Sequence, residues 1–257
     1  MILCLILSVI LGYFIGSIST SLIVGKVFFK IDIREHGSKN AGGTNAGRVL
    51  GKKAGFIVIF FDALKIGLAM GLAYLLIYLF KLELDAYQTG LIVYSTALIT
   101  AVGHCYPIYF GFKGGKAVST LLGFVVFTNP YLFLVMFVIF VIILLSTKYV
   151  SLSSMISSVL LFAFSFIPFF KNGMIFIEYT YYYSIALFLF SGLLIFQHRS
   201  NIVRLINKKE LKARWVVRLY DKFKNSSKLK WTPNSSQKIK TITSYVRIDI
   251  GGFCYGR

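Results

Sequence analysis

Charged residues are scarce in this sequence, and their scarcity limits the classes of protein that it can form. Only 14% of its 257 residues are Asp, Glu, Lys or Arg, whereas a soluble domain carries roughly 25%. Hydrophobic residues make up 57%, in long blocks such as Tyr131–Thr147 and Leu152–Phe170. A helix that crosses a bilayer needs about 20 mostly apolar residues. The composition therefore predicts a polytopic membrane protein and excludes a single soluble core and a disordered chain.

Cysteine is also rare, with only Cys4, Cys105 and Cys254 in the whole sequence. These residues lie far apart, and the sequence has no CxxC motif and no Cys/His pairing. Neither a disulfide framework nor a metal site is predicted, and nothing indicates a cofactor. The apolar N-terminus lacks a basic n-region, so we interpret it as the first membrane helix and not as a cleaved signal peptide.

Seven apolar segments predict an all-α membrane fold with about seven transmembrane helices. Their expected bounds are Ile2–Val24, Phe56–Phe80, Tyr87–Val102, Ala117–Phe127, Tyr131–Ser146, Ser151–Phe170 and Tyr181–Phe196. As a helix the fourth segment would extend only about 17 Å, which is less than the hydrocarbon core of about 30 Å. We expect it to form a short or tilted helix, or a re-entrant piece buried among the others.

Acidic residues number nine against 28 Lys and Arg, which gives a formal net charge of +19. With seven spans and an external N-terminus, 25 of the basic residues fall on the cytoplasmic side and two fall outside. The positive-inside rule therefore predicts an external N-terminus and a cytoplasmic C-terminus. We expect a membrane domain, residues 1–207, and a basic, partly disordered tail, residues 208–257, that lies on anionic lipid. No nucleic-acid partner is predicted.

A polar, glycine-rich segment runs from His36 to Arg48, after the first apolar segment. Its four glycines permit backbone geometries that other residues reach only at a cost. Its Ser, Thr and Asn side chains can donate hydrogen bonds, and successive N–H groups turned inward would form an anion-binding nest. Lys39 and Arg48 add positive charge. The pattern indicates a phosphate site, with a plain polar linker as the alternative.

A second polar segment comprises Gly103–Pro107 and then Phe112–Ala117. The pair Gly114-Gly115 stands between two lysines at the start of the fourth apolar segment. A helix N-terminus offers free N–H groups and the positive end of the helix dipole, so this pattern also resembles a phosphate cradle. It is not a Walker loop, because GxxxxGK[ST] is absent there. The alternative is a loop whose lysines only follow the positive-inside rule.

A third polar segment, His198–Arg204, ends the last apolar segment. On a helix, His198 and Asn201 would share one face, although alone this segment is typical of a juxtamembrane cap with snorkelling arginines. Asp62 and Lys65 lie three residues apart within the second apolar segment, where we expect a structural ion pair. The three polar segments contain no carboxylate pair and no nucleophile–base pair. The chemistry should therefore depend on positioning and charge, as in the transfer of an already activated group.

These residues together resemble the bacterial acyl-phosphate:glycerol-3-phosphate acyltransferase family, over roughly Gly16 to Glu210. The resemblance rests on several strings in the same order and with similar spacing. They are Gly16-Ser17 with Thr20, Gly37-Ser38-x-Asn40, Thr44-Asn45, Arg48, Gly51-Lys52-Lys53, Asp62-x-x-Lys65, Gly103-His104-x-Tyr106-Pro107, Phe112-Lys113-Gly114-Gly115-Lys116 and His198-Arg199-x-Asn201-Ile202.

The resemblance implies acyl transfer from acyl phosphate to the 1-position of sn-glycerol 3-phosphate, which yields lysophosphatidic acid and inorganic phosphate. It also implies a bacterial cell membrane location, a cytoplasmic active site, contact with membrane lipid and no cofactor. A soluble enzyme that produces acyl phosphate is a further expected partner. The implied catalytic residues are Ser38, Asn45, Arg48, Lys116, His198 and Asn201. The implied substrate-binding residues are Gly37, Asn40, Gly43, Thr44, His104, Lys113, Gly114, Gly115 and Ser151.

The sequence departs from the family pattern at a few positions. Lys39, Gly43, Ala117 and Ser200 replace residues that the family usually has. Ala117 matters most, since its Cβ could tighten a loop that needs a positive φ. The His-x4-Asp pair of other glycerol-phosphate acyltransferases is absent after all three histidines, so dependence on acyl-CoA or acyl carrier protein is not indicated.

Two other classes of function are weighed against the acyltransferase. A transporter of an organic phosphate would also need many spans and cytoplasmic cations, but it predicts polar residues near mid-membrane and inverted repeats. Only Asp62 and Lys65 fit that pattern, and no internal repeat is evident. A non-catalytic lipid-binding protein would leave the two candidate phosphate loops without a purpose.

Overall fold

The computed structural model describes residues 1–175, 178–213 and 216–217. The chain divides into a compact unit, Met1–Ala213, and a second unit, Arg214–Arg257. Most of the predicted basic tail thus lies outside the described residues, whereas residues 208–213 are described with the first unit.

Helices make up the regular secondary structure of the described residues. They are α1 (Ile2–Ser17), α2 (Thr20–Phe28), α3 (Gly43–Val49), α4 (Lys52–Leu79), α5 (Ala86–Cys105), α6 (Val118–Thr128), α7 (Pro130–Thr147), α8 (Val150–Phe164), α9 (Pro168–Lys171), α10 (Tyr181–Gln197) and α11 (Arg199–Ile206). Two short 3₁₀ helices, Ile33–Glu35 and Ile108–Phe110, lie in the loops after α2 and α5. The predicted all-α fold is confirmed for this part of the chain.

Each of the seven predicted apolar segments contains a helix, but the helices differ in length. Four helical stretches of the described chain are long and apolar enough to cross a membrane, or five if α10 and α11, bent by 56°, form one span. The segments α6 and α8 are shorter apolar helices. The eleven residues of α6 agree with the short helix expected there.

The sixth predicted segment, Ser151–Phe170, is wrong as one continuous helix, because α8 ends at Phe164. Pro168 begins α9, and the preceding Ile167 is extended, with φ −70° and ψ 129°. A residue before proline is disfavoured in the helical region, so the chain breaks at that point.

The first predicted segment is also interrupted, between α1 and α2. Ile18 and Ser19 are extended, with ψ of 100° and 97°. Ser17 Oγ donates to the Tyr13 carbonyl in the last turn of α1. The break exposes the carbonyls of Gly16 and Ile18, and the Lys65 ammonium of α4 donates to both.

The core combines close helix approach with stacked aromatic rings. The α1 and α5 backbones nearly touch, since a Cβ on Gly16 would lie 2.1 Å from the Thr100 carbonyl oxygen. Phe124 of α6 stacks on Tyr183 and Phe190 of α10, with ring centroids 5.6 and 4.9 Å away. This packing fixes α6 and α10, which carry the loops of the candidate site at their ends.

Candidate functional site

The loop between α2 and α3 is held by the buried side chain of Asn45. Its Oδ1 accepts from the backbone N–H of Ser38 at 2.8 Å. Its Nδ2 donates to the carbonyls of Ile33 at 2.9 Å and His36 at 3.1 Å. Both amide hydrogens are therefore engaged inside the protein, so Asn45 fixes the path of the loop from residue 33 to residue 38.

Gly37 is required by this arrangement. Its φ of +61° is unfavourable for other residues, and an added Cβ would lie 2.4 Å from Asn45 Oδ1. Gly43 fits tightly for a different reason, because a Cβ there would lie 2.3 Å from Ile59 of α4. Thr44 is exposed in the first turn of α3.

The loop between α5 and α6 folds back onto the end of α5. Gly114 N–H donates to the Cys105 carbonyl at 3.1 Å, and Gly115 N–H donates to the His104 carbonyl at 3.0 Å. A Cβ on Gly115 would lie 2.0 Å from His104 Nε2. The glycine pair thus allows the backbone to lie directly on His104, and its two N–H groups bind protein carbonyls.

Ala117 follows Lys116 and begins α6 in the left-handed region, with φ 60° and ψ 10°. Its side chain is fully buried. The expectation of a positive φ at this position is therefore confirmed, although the residue carries a Cβ.

Arg34 joins the first two loops. Its guanidinium forms an ion pair with Asp32 at 2.7 Å and donates to the Phe110 carbonyl at 2.8 Å. Hydrogen bonds from Arg34 hold the pKa of Asp32 at about 2, so that this carboxylate stays ionised.

A cleft of about 660 Å³ opens between these loops and the end of α10. Its size suits a small organic ligand. Two of its lining side chains, Asp32 and Glu35, are acidic. Five are cationic, namely Arg34, Lys39, Lys113, Lys116 and Arg199. The excess of cations fits an anionic ligand.

Glu210 organises the third part of the site. One carboxylate oxygen accepts from Ser151 Oγ at 2.8 Å and from Asn201 Nδ2 at 2.7 Å. The other oxygen pairs with Arg204 at 2.8 Å. Burial raises the pKa of Glu210, but the hydrogen bonds from Arg204, Asn201 and Ser151 outweigh it and hold this pKa below its usual value.

Lys116 connects this cluster to the cleft. Its ammonium donates to Asn201 Oδ1. Burial, with help from nearby Arg204 and Arg48, lowers the pKa of Lys116 to about 8. Arg48 donates to the carbonyl of Leu211 at 3.3 Å, so it also contacts the segment that carries Glu210.

His198 lies buried at the bend between α10 and α11. Its Nδ1 is 2.8 Å from the Leu194 carbonyl oxygen, and since a carbonyl only accepts, Nδ1 carries the proton. Nε2 lies 3.5 Å from Ser154 Oγ. The neutral ring therefore presents an acceptor nitrogen on the side of α8.

The structure brings some of the predicted site residues together and separates others. Ser151, Lys116 and Asn201 meet through Glu210, and Arg48 reaches the same segment. Asn40, Lys113, Gly114 and Gly115 line the cleft with Lys116. Gly37, Ser38 and Asn45 form the separate contact in the first loop. His104 lies beneath the second loop, buried to 3% exposure.

Sequence reasoning did not assign Glu210 or Arg34 to the site. Glu210 had a signal, because it is a lone acid among Lys208, Lys209 and Lys212. An acid in such a basic segment is expected to pair with cations nearby. Arg34 stands close before the glycine-rich segment, but its carbonyl partner lies 76 residues away.

Fold and site together define a class of protein. The described residues form an apolar helical bundle with a cationic cleft between loops at the ends of its helices, which is the arrangement of an integral membrane protein that binds an anionic molecule. Residues 6–208 match the family model described as "Glycerol-3-phosphate acyltransferase". The chain belongs to this family of integral membrane glycerol-3-phosphate acyltransferases, and the predicted family and enzyme class are confirmed.

Relatives and solved structures agree with the family model. The glycerol-3-phosphate acyltransferases of Bacillus cytotoxicus and Bacillus subtilis are each 43% identical over 210 residues. These matches cover 82% of this chain and 96% and 98% of the two relatives. The crystal structure of PlsY (YgiH), an integral membrane glycerol 3-phosphate acyltransferase, in its glycerol 3-phosphate form superposes with a TM-score of 0.68 at 33% identity. That match covers 81% of this chain and 95% of PlsY. The lysophosphatidic acid form gives a TM-score of 0.66.

Proposed function

We propose that this chain transfers an acyl group from acyl phosphate to the 1-position of sn-glycerol 3-phosphate, as the first step of phospholipid synthesis. The products are lysophosphatidic acid and inorganic phosphate. The observation that carries the proposal is the Lys116 ammonium at the wall of a cationic cleft and bonded to Asn201. Membership of the acyltransferase family favours this chemistry over transport of an organic phosphate.

Acyl phosphate is the proposed donor because transfer of its acyl group needs little chemical help from the protein. Phosphate is already a good leaving group, and cations stabilise the charge that develops on it. The His-x4-Asp pair that would activate the hydroxyl is absent after His36, His104 and His198. The reaction thus depends on positioning and charge, which the cleft supplies.

The proposed reaction is one direct displacement without an acyl-enzyme. The glycerol hydroxyl oxygen attacks the acyl carbonyl carbon and forms the ester bond. The bond from that carbon to the phosphate oxygen breaks, and inorganic phosphate leaves with the bond electrons. The hydroxyl proton passes to a phosphate oxygen of a substrate. His198 Nε2, an acceptor nitrogen by its tautomer, is the alternative base.

Each part of the site has a role in this proposal. Lys116 and Arg48 bind the phosphate of glycerol 3-phosphate, and His198 and Asn201 contact the same molecule, with Ser151 beside them. Ser38 and its loop stabilise the charge on the carbonyl, with Gly37, Asn40, Gly43 and Thr44 shaping that loop. Asn45 contributes by holding the loop, because its amide hydrogens are engaged by protein carbonyls. Lys113, Gly114 and Gly115 form the cleft wall.

The site is proposed to face the cytoplasm of a bacterial cell membrane, with the N-terminus outside and seven membrane-associated helical segments. Acyl phosphate would arrive through the lipid or from a soluble enzyme that produces it. A membrane-impermeant maleimide added to intact cells tests this orientation. It should label a Lys81→Cys variant and spare Lys209→Cys, and the reverse labelling would overturn the orientation.

The function is tested on protein purified in detergent with palmitoyl phosphate and labelled glycerol 3-phosphate, without coenzyme A or carrier protein. We expect lysophosphatidic acid and inorganic phosphate in equal amounts. Lys116→Ala should reduce kcat/KM for glycerol 3-phosphate by about 100-fold, as expected when a substrate loses a group that positions it. Lys81→Ala, which removes an exposed lysine from the loop before α5, should leave it unchanged. If the protein transfers an acyl group only from acyl-CoA, acyl phosphate is not its donor. If it binds glycerol 3-phosphate but forms no product, the proposed catalytic function is wrong.

A further inference from the structure

A buried charge network lies beneath the candidate site, inside the bundle. Asp62 and Lys65 of α4 form the predicted ion pair, with Oδ1 and Nζ 2.9 Å apart, and both side chains are buried. Thr20 Oγ1 donates to the same oxygen at 3.1 Å. Asp62 Oδ2 is buried without a hydrogen-bond partner in the part of the chain that the structure describes. Burying such groups costs several kcal/mol for each ion, and ionisable residues inside a membrane usually serve a function.

The network reaches the end of α5 through His104. Lys65 Nζ lies 3.0 Å from His104 Nδ1, and Asp62 Oδ1 lies 3.6 Å from the same nitrogen. An ammonium group only donates, so Nδ1 accepts the hydrogen bond and Nε2 carries the ring proton. The same Lys65 ammonium binds the two carbonyls at the break between α1 and α2. One cation therefore fixes the His104 ring relative to α1, α2 and α4.

The opposite edge of the His104 ring supports the second loop. Nε2 lies so close to Gly115 that a Cβ there would approach to 2.0 Å, and the His104 carbonyl accepts from Gly115 N–H at 3.0 Å. Lys116 is the next residue, and its ammonium lies at the cleft with Asn201. A shift of the His104 ring would therefore move the backbone that carries Lys116.

We propose that Asp62, Lys65 and His104 are positioning residues that set the place of Lys116 through the Gly114-Gly115 backbone. They affect the binding of glycerol 3-phosphate without contacting it. This inference rests on the proposed role of Lys116 in phosphate binding. It also assigns to His104 a role below the loop in place of the direct substrate contact that the family resemblance implies.

The test compares two substitutions of nearly equal shape. His104→Asn keeps an acceptor for Lys65, whereas His104→Leu removes it. We expect His104→Leu to raise the KM for glycerol 3-phosphate by at least about tenfold, since a misplacement of 1 Å can cost 100-fold. His104→Asn should bind glycerol 3-phosphate at least about fivefold more tightly than His104→Leu, because the acceptor is retained. Asp62→Asn should also raise this KM, while the KM for palmitoyl phosphate changes by less than about threefold for all of these variants.

A control separates positioning from loss of stability. Thr128→Val removes the hydrogen bond between Thr128 and Tyr183 at the other end of α6. It should lower the thermal midpoint without changing either KM. Equal KM values for His104→Leu, His104→Asn and Thr128→Val would overturn the proposal. Calorimetric binding of glycerol 3-phosphate gives the same comparison without turnover, so failure of the wild-type protein to make lysophosphatidic acid would refute the proposed function alone.

Discussion

The Lys116 ammonium donates a hydrogen bond to the side-chain oxygen of Asn201, a residue 85 positions later in the chain. Asn201 also contacts Glu210, because its Nδ2 donates to the Glu210 carboxylate at 2.7 Å. This chain of polar contacts joins the loop before α6 to α11 and the segment after it. Two regions that the sequence presents separately thus meet in the candidate site.

The first prediction concerns the pH dependence set by Lys116. Because burial lowers the pKa of Lys116 to about 8, the cation is present below this pH and is lost above it. Glycerol 3-phosphate remains a dianion there, since the second phosphate pKa is about 6. We expect kcat/KM for glycerol 3-phosphate to fall above pH 8, as measured in steady-state assays between pH 6.5 and pH 9.5.

Lys116→Arg is the matched control for this profile. Arginine stays protonated throughout this range, so the decline above pH 8 should disappear even if the overall rate is lower. An unchanged decline in Lys116→Arg would assign the titration to another group.

The second prediction concerns Gly37. Gly37→Ala adds a Cβ against Asn45 Oδ1 at a positive φ, so the loop or Asn45 must move. We expect the rate of lysophosphatidic acid formation to fall by about 10- to 100-fold, because the loop would leave its working position.

Gly111→Ala is the comparison for Gly37→Ala. Gly111 has a similar φ of +68°, but a Cβ there meets nothing within 4 Å. Gly111→Ala should lower the free energy of unfolding only by the left-handed strain of about 1–2 kcal/mol, and it should keep most of the activity. Equal losses for the two variants would show that Asn45 does not hold the loop.

The third prediction concerns Ala117, which is buried in the left-handed region. Ala117→Gly relieves strain of about 1–2 kcal/mol but loses a buried methyl group worth about 0.8 kcal/mol. We therefore expect its unfolding free energy to stay within about 1 kcal/mol of the wild type. Ala117→Val should lower the unfolding free energy by more than about 2 kcal/mol, because a β-branched residue is strained at positive φ and is too large for the space around residue 117. Denaturation in detergent measures both, and a stable Ala117→Val variant would contradict this account.

The fourth prediction concerns Glu210, whose carboxylate accepts from Ser151, Asn201 and Arg204. Its lowered pKa means that the ionised form stabilises the fold above the unfolded value of 4.5, and that this contribution is lost as the pH falls further. Glu210→Gln should cost about 1–3 kcal/mol at pH 7, as expected for hydrogen bonds to a charged group.

Thermal unfolding at pH 7 and pH 4 checks the Glu210 prediction. The stability difference between wild type and Glu210→Gln should shrink at the lower pH. Glu83→Gln replaces an exposed acid before α5, and it should change the thermal stability little at either pH. A difference that grows on acidification would contradict the assigned direction.

The helices were largely predictable from the sequence because long apolar runs leave few other structures in a membrane. The break at Ile18 was not predictable, since Lys65, which lies on another helix, stabilises it by binding the two carbonyls that the break leaves free. The end of α8 had a local signal in Pro168, which the uniform apolar pattern of Ser151–Phe170 outweighed.

The sequence indicated which loops line the candidate cleft. Glycines, cations and polar side chains near the ends of apolar segments indicated phosphate binding without any coordinates. Sequence alone does not give contacts between distant residues, such as Arg34 with the Phe110 carbonyl. Nor does it show that the N–H groups of Gly114 and Gly115 donate to carbonyls at the end of α5.

The most direct test of the central claim is an experimental structure of this chain with bound glycerol 3-phosphate. We predict the phosphate within hydrogen-bond distance of Lys116 Nζ, with the Asn201 or His198 side chain in contact with the same molecule. A ligand that binds away from the cleft, with Lys116 still bonded only to Asn201, would contradict it.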